Sequence, residues 1–83
     1  KRWTALIIYQ LLEGPQRFNA IESALPISGR LLSERLKELE KEGIVVRTVY
    51  SEVPIRVEYN LTDKGLSLEQ AVREIETWAK NWL

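Results

Sequence analysis

The segment that decides the fold is Ile27–Glu42, ISGRLLSERLKELEKE, followed directly by Gly43 and the strand-like run IVVRTVY at 44–50. At ~100° per residue along a helix, its leucines fall on one stripe: Leu32, Leu36 and Leu39. Hydrogen-bond donors occupy the opposite side: Arg30, Ser33, Lys37 and Lys41. A helix that buries one face and presents donors on the other suits the DNA major groove. The same pattern also fits a surface helix whose charged face only contacts solvent.

Position along this helix suggests a division of roles. Arg30 and Ser33 lie near its start, the end that usually reaches base edges, whereas Lys37 and Lys41 lie further along and are expected at phosphates. Glu34 stands at the edge of the donor face. It could accept a hydrogen bond from a cytosine amino group, or orient Arg30 at the i,i+4 spacing.

The length and composition indicate one small domain, residues 1–83, with a thin core. Neither a run of about 18 apolar residues nor a signal peptide is visible, so we expect a cytoplasmic protein without membrane contact. The sequence begins Lys1-Arg2-Trp3 without an initiator methionine, so we expect an N-terminal segment to be missing.

The sequence contains no cysteine and no histidine. Disulfides, thiolate nucleophiles, Cys/His zinc sites and histidine acid–base chemistry are therefore excluded within it. No phosphate-binding glycine loop, GxSxG motif or paired-acid motif frames the remaining polar residues. We predict no enzyme, no metal site and no cofactor.

The overall charge argues against nucleic-acid binding. The formal net charge is zero and the pI is about 6.5, whereas an isolated nucleic-acid-binding domain often has a pI above ~9. Glutamates are interleaved with the cations of the central helix and of the segment after it. Only the folded geometry could create a basic surface.

Two shorter segments precede the central helix. WTALIIYQLLE at 3–13 is apolar around nearly its whole circumference, so we expect a helix buried on both sides. Gly14-Pro15 ends it, and Arg17-Phe18 could form a very short strand.

A second helix, AIESAL at 20–25, is predicted with Asn19 as its N-cap and is ended by Pro26. Ser28 caps the third helix, and Gly43 ends it. Two helices joined by a tight turn form a helix-turn-helix pattern.

The residues after Gly43 predict a β-hairpin. The run at 44–50 is rich in β-branched residues, 51–54 is a turn, and 56–61 (RVEYNL) alternates with Val57, Tyr59 and Leu61 on one side. A helix-turn-helix followed by a hairpin is a winged helix, an α+β fold that is mainly helical. A small α+β domain that uses the hairpin only as a lid fits equally.

The last predicted helix, 67–83, carries a narrow apolar stripe with two tryptophans. Aromatic residues are enriched at subunit interfaces, although this stripe could also dock on its own chain. We predict terminal dimerisation helices, with this interface set: Trp3, Leu68, Val72, Ile75, Trp78 and Trp82.

Five motifs span nearly the whole chain: KRW (1–3), GPQRFNAIE (14–22), SGRLLSERLKELEKEGIV (28–45), EVPIRVEY (52–59) and LTDKG (61–65). In this combination they resemble the HxlR branch of the MarR-like winged-helix transcription regulators. The resemblance implies a homodimer that binds palindromic operators in double-stranded DNA, usually as a repressor. It also implies that Arg30, Ser33 and Lys37 face the groove.

The resemblance implies that Arg56 lies on the wing, at the flanking minor groove or the phosphates. The residues themselves leave another role open, since Arg56 could pair with Glu52 or Glu58 without touching DNA. The predicted DNA-binding set is Ser28, Arg30, Ser33, Glu34, Lys37, Lys41 and Arg56.

Within the family, KRW…LII and IETWA (75–79) are most similar to the regulators that sense quinones and other electrophiles. Those proteins sense through a cysteine ahead of the KRW motif. This sequence has no cysteine, so the sensor either lies upstream of Lys1 or does not exist, and a small-molecule inducer stays open.

Two functions remain in view. The first is a dimeric DNA-binding transcription regulator, which the resemblance and the placement of the cations favour. The second is a winged-helix protein–protein interaction module without DNA binding, which the zero net charge favours.

Overall fold

Three helices precede the hairpin and two follow it, in a computed structural model that describes residues 2–83. The elements are α1 (Arg2–Leu11), α2 (Phe18–Ala24), α3 (Gly29–Lys41), β1 (Val45–Tyr50), β2 (Arg56–Leu61), α4 (Asp63–Leu66) and α5 (Glu69–Trp82). The strands pair antiparallel, Val45 opposite Leu61 at the base and Tyr50 opposite Arg56 at the tip. The predicted winged helix-turn-helix, α+β and mainly helical, is confirmed.

Helix α3 forms as its sequence predicts, with Ser28 as its N-cap and Gly43 after its last turn. The Ser28 hydroxyl oxygen accepts a hydrogen bond from the Leu31 N–H at 3.1 Å, which satisfies one of the first-turn donors. Gly43 follows the helix with φ +74°, a left-handed conformation that glycine adopts without strain. Leu32 and Leu36 are fully buried and Leu39 is 2% exposed, so the leucine stripe packs into the core.

The start of α2 differs from the prediction. The N-cap is Arg17, without a side-chain hydrogen bond, and Phe18 is the first helical residue; Asn19 is therefore not the cap. The predicted strand at Arg17-Phe18 is also wrong, because the bridge forms one residue earlier. Gln16 and Tyr59 exchange backbone N–H···O bonds of 3.0 and 2.8 Å, which fixes α2 against the outer edge of β2.

A polar junction ties the base of the hairpin to the end of α3. The Thr62 hydroxyl donates to the Gly43 carbonyl and accepts from the Gly65 N–H at 3.1 Å, which caps α4. The Lys64 ammonium donates to the Glu42 carbonyl at 2.8 Å. These bonds satisfy carbonyls at the C-terminal end of α3 and hold the hairpin at a fixed position relative to that helix.

Helices α1 and α5 pack side by side, but neither is buried all round. In α1, Ile7, Ile8 and Leu11 are buried whereas Leu6 is 39% exposed, so one chain alone does not cover the whole apolar circumference of this helix. The final helix begins at Glu69, after the separate turn α4, rather than at Ser67. Among residues 2–83, no helix has the length and apolar character that a membrane span requires.

Gly65 is expected to be intolerant of a side chain. A Cβ at this buried position would clash with the Ile44 carbonyl oxygen and crowd the Leu61 side chain at 3.1 Å. Gly65→Ala should lower the free energy of unfolding by about 1–3 kcal/mol, the usual cost of overpacking. Urea denaturation should show a lower midpoint with an unchanged slope.

Gly29→Ala is the matched control. Its Cβ would meet the Glu22 carboxylate, 2.6 Å from Oε2, and the end of a glutamate side chain can move away. A smaller loss for Gly65→Ala than for Gly29→Ala would contradict this account of the junction.

Candidate nucleic-acid interface

The outward face of α3 carries a row of exposed cations. The Arg30 side chain is 92% exposed, and Lys37 and Lys41 are also exposed. Their spacing of seven and four residues keeps them on one stripe opposite the buried leucines. At 1.5 Å rise per residue, the row from Arg30 to Lys41 extends about 16 Å along the helix axis.

The polar neighbours of this row differ in their exposure. Glu34 lies on the same face, and its carboxylate approaches the Arg30 guanidinium at 3.6 Å, the i,i+4 pair that the sequence suggested. Ser28 is exposed at the helix start, whereas Ser33 is only partly exposed. Within residues 2–83, Lys37 and Lys41 have no carboxylate within salt-bridge distance, so their charges remain available to an anionic partner.

Arg56 is engaged within the wing. Its guanidinium donates two hydrogen bonds to Glu52, at 3.2 and 2.8 Å, and one to Glu58 at 2.7 Å. It also lies over the Tyr50 ring, 3.8 Å from the ring centre, and only 26% of its side chain is exposed. The structure therefore contains the pairing with Glu52 and Glu58 that the sequence left open.

The electrostatics of this cluster follow from its hydrogen bonds. The bonds from Arg56 hold the pKa of the Glu52 carboxyl below its usual value, against the opposing effect of burial, and the charges of Arg56 and Arg17 add to the lowering. The bonds to Glu52 and then to Glu58 raise the pKa of Arg56 further above its already high value. Both shifts favour the charged forms, so Glu52 and Arg56 form an ion pair at neutral pH.

A second wing arginine was not selected from the sequence. Arg47 lies opposite Tyr59 in the strand register, so it projects from the other sheet face than Arg56. It is exposed, and no carboxylate among residues 2–83 lies within salt-bridge distance of it. In the alternating pattern of β1, Arg47 lies between Val45 and Val49 on the same sheet face. A cation at a position of this apolar series is the sequence signal that could have identified Arg47.

The predicted dimer interface divides into two groups. Val72 is buried in the chain's own core, and Trp3 and Leu68 pack against that core; these three residues thus already have intrachain contacts. In contrast, Ile75 is 58%, Trp78 56% and Trp82 74% exposed. The exposed part of the stripe is the half of α5 beyond Val72.

An apolar groove joins this stripe to α1. Ala5, Leu6 and Tyr9 form one wall, and Val72, Ile75 and Ala79 form the other. A hydrogen bond to Glu76 raises the pKa of the Tyr9 hydroxyl, and the Arg73 guanidinium lies 5.9 Å from the centre of the same ring. Glu76 also lines the groove, so its hydrogen bond with Tyr9 lies among otherwise apolar side chains.

Comparison with known proteins assigns the chain to a family. The HxlR-like helix-turn-helix profile matches residues 1–83. The chain belongs to this family. It is 61% identical over 84 residues to YvaP of Bacillus subtilis (strain 168), an uncharacterized HTH-type transcriptional regulator, covering 100% of this chain and 78% of YvaP. It is 49% identical over 80 residues to YodB of the same organism, another HTH-type transcriptional regulator, covering 95% of this chain and 71% of YodB.

Solved structures of two regulators have the same fold as this chain. The reduced form of YodB matches with a TM-score of 0.88 at 47% identity, covering 99% of this chain and 81% of that one. The reduced form of the redox regulator HypR matches with a TM-score of 0.89 at 40% identity, covering 95% and 79%. The protein is therefore a helix-turn-helix transcription regulator of the HxlR family and not an enzyme.

The Glu52 carboxyl provides a direct test of the wing cluster. Arg56→Met removes the hydrogen-bond donors and should return the pKa of Glu52 toward its usual value in an NMR titration of the glutamate carboxyl carbons. Because the pKa of Glu52 is lower in the folded than in the unfolded state, its ionisation stabilises the fold at pH values above the unfolded-state pKa. This stabilisation is lost as the pH falls through the folded-state pKa. The variant should therefore be slightly less stable than wild type at neutral pH, and equally stable in acid. An unchanged Glu52 titration would contradict the assigned pair.

Proposed function

We propose that this chain is a sequence-specific DNA-binding repressor that acts as a homodimer on a palindromic operator. The observation that carries the proposal is the outward face of α3, where Arg30, Lys37 and Lys41 stand in one exposed row on a winged helix-turn-helix. Base contacts from the first turns of this helix would supply specificity, and the lysines would contact phosphates.

A zero net charge is compatible with this role, because the acidic residues are not all on the same surface. Lys37 and Lys41 have no ion-pair partner within residues 2–83. In contrast, Glu52 and Glu58 pair with Arg56 on the wing, and Glu69 pairs with Arg73 on α5. The charges of these two lysines therefore remain available to an anionic partner, although Glu34 and Glu38 lie on the same helix. Local potential, rather than net charge, guides the encounter with a charged partner.

The dimer proposal rests on the apolar surface of α1 and α5. Ile75, Trp78 and Trp82 are each more than half exposed, and they continue the groove formed with Leu6. Single chains rarely leave such a stripe in water, since contiguous apolar surface marks an interaction site. A twofold dimer presents two copies of α3, so a pseudo-palindromic operator with half-sites about 34–36 Å apart, or multiples of this, is expected.

YodB has been solved in reduced, diamide-treated and quinone-bound forms. Residues 1–83 contain no cysteine, so thiol chemistry is not available in this segment. We propose DNA binding and dimerisation for these residues and assign none of them to electrophile sensing.

The decisive experiment is selection of duplexes from a random-sequence library, followed by affinity measurements at several salt concentrations. An enriched palindrome, bound with an affinity that falls as salt rises, would support the proposal. The alternative function, a winged-helix protein–protein module, predicts no enriched duplex and no binding at low salt.

Two substitutions separate base reading from phosphate contact. Arg30→Ala should cost about 1–3 kcal/mol on the selected duplex and relax sequence preference, because a base contact is lost. Lys37→Ala should weaken all duplexes alike and reduce the salt slope by about one unit. Fluorescence anisotropy on selected and scrambled duplexes measures both effects.

Lys80→Ala is the control for these variants, since Lys80 is exposed on α5, away from α3. Its loss changes the net charge by the same amount and should leave affinity nearly unchanged. If Arg30→Ala and Lys37→Ala both retained wild-type affinity, α3 would not be the reading helix.

The dimer is tested on α5. Ile75→Glu combined with Trp78→Glu should give a folded monomer, because two charges would enter an apolar interface while the core residue Val72 is untouched. Sedimentation at micromolar concentration reports the mass, and circular dichroism reports the fold. Thr77→Glu, on the other side of α5, should remain dimeric. A monomeric wild type would contradict the proposal.

A further inference from the structure

The wing has a charge pattern that is unusual for a segment placed beside DNA. Residues 45–61 contain two arginines, Arg47 and Arg56, and two glutamates, Glu52 and Glu58. No cation occurs from 48 to 55, around the tip. Two free carboxylates there would be repelled by the phosphates, since like charges brought together oppose binding.

Arg56 is placed to remove this repulsion. Its Nε and Nη2 bind the two oxygens of Glu52, and its Nη1 binds Glu58. The fork of donors matches a carboxylate in a bidentate arrangement, which is a strong form of charge-assisted hydrogen bond. Tyr50, directly opposite Arg56 in the register, covers one face of the guanidinium.

Moving Arg56 to a phosphate would have a double cost. The three hydrogen bonds and the contact with Tyr50 would be lost, and Glu52 and Glu58 would remain as unpaired charges next to the duplex. A cation already held by two anions attracts a third anion weakly. The arrangement favours a guanidinium that stays on the wing when DNA is bound.

We propose that Arg56 is a positioning residue that neutralises Glu52 and Glu58 and fixes the wing tip, so that the wing can approach DNA without Arg56 contacting it. The inference rests on the proposed function, because it requires the wing to lie beside a duplex. It assigns Arg56 a role that acts through the two glutamates. Arg47, on the opposite sheet face and without a carboxylate partner among residues 2–83, is the wing cation available to phosphates.

The test compares Arg56→Met alone with Arg56→Met combined with Glu52→Gln and Glu58→Gln. Methionine keeps an unbranched stem over Tyr50 and removes the charge. The single variant should bind the selected duplex about fivefold or more weakly than wild type, because it uncovers two carboxylates. The triple variant should return to within about threefold of wild type, with the wild-type salt slope, since no phosphate contact has been lost.

A charge-matched control excludes a general effect of net charge. Arg56→Met combined with Glu13→Gln and Glu74→Gln has the same net charge as the rescued variant, but it leaves the wing glutamates intact. It should bind as weakly as Arg56→Met alone. Circular dichroism and sedimentation should show that every variant keeps the fold and mass of wild type.

Three results would overturn the inference. A triple variant as weak as Arg56→Met, with a salt slope smaller by about one unit, would show direct phosphate contact by Arg56. Full affinity of Arg56→Met would show that the uncovered glutamates do not face DNA. Equal recovery of affinity in the charge-matched control would show that net charge, and not the loss of the Glu52 and Glu58 charges, determines affinity. Failure of the proposed function is distinct from all three, because wild type itself would then bind no duplex.

Discussion

The burial of the leucine stripe of α3 is the constraint on which the rest of the structure depends. Leu32, Leu36 and Leu39 are at most 2% exposed, and each buried leucine side chain contributes roughly 1.5–3 kcal/mol relative to an exposed one. Rotating α3 by one residue, ~100°, would expose the stripe and bury charges. The core therefore dictates which side chains face outward. The row from Arg30 to Lys41 is a consequence of how the opposite side packs.

The second constraint is the junction between α3 and the hairpin. Gly43 turns the chain, Thr62 bonds back to the Gly43 carbonyl, and Gly65 lets α4 approach Ile44 closely. The wing is therefore held at a defined position relative to α3 instead of projecting freely. The hydrogen bonds at the junction fix the position of the wing relative to α3, and a DNA-binding surface built from both elements would require such a fixed geometry.

Local patterns predicted the elements that local chemistry controls. Ser28 and Gly43 were identified as boundary residues because caps and left-handed turns leave short sequence signatures. The span of β2 was predicted from its alternation of apolar and polar residues. The Gln16–Tyr59 bridge was missed because its partners are distant in sequence. Val72 was predicted at the dimer interface but is buried in the core, and its burial depends on how α5 packs against residues distant in sequence. Whether Arg56 pairs with Glu52 and Glu58 depends on the side-chain geometry around the turn. The spacing of these residues in the sequence does not determine that geometry.

The central claim is that the outward face of α3 contacts DNA, and cross-saturation NMR tests it most directly. Protons of the selected duplex are irradiated, and intensity losses are recorded at the backbone amides of perdeuterated protein. The account predicts the largest losses at residues 28–37, smaller losses in the wing, and none in the exposed half of α5. Losses confined to α1 and α5, with residues 28–37 unaffected, would contradict it.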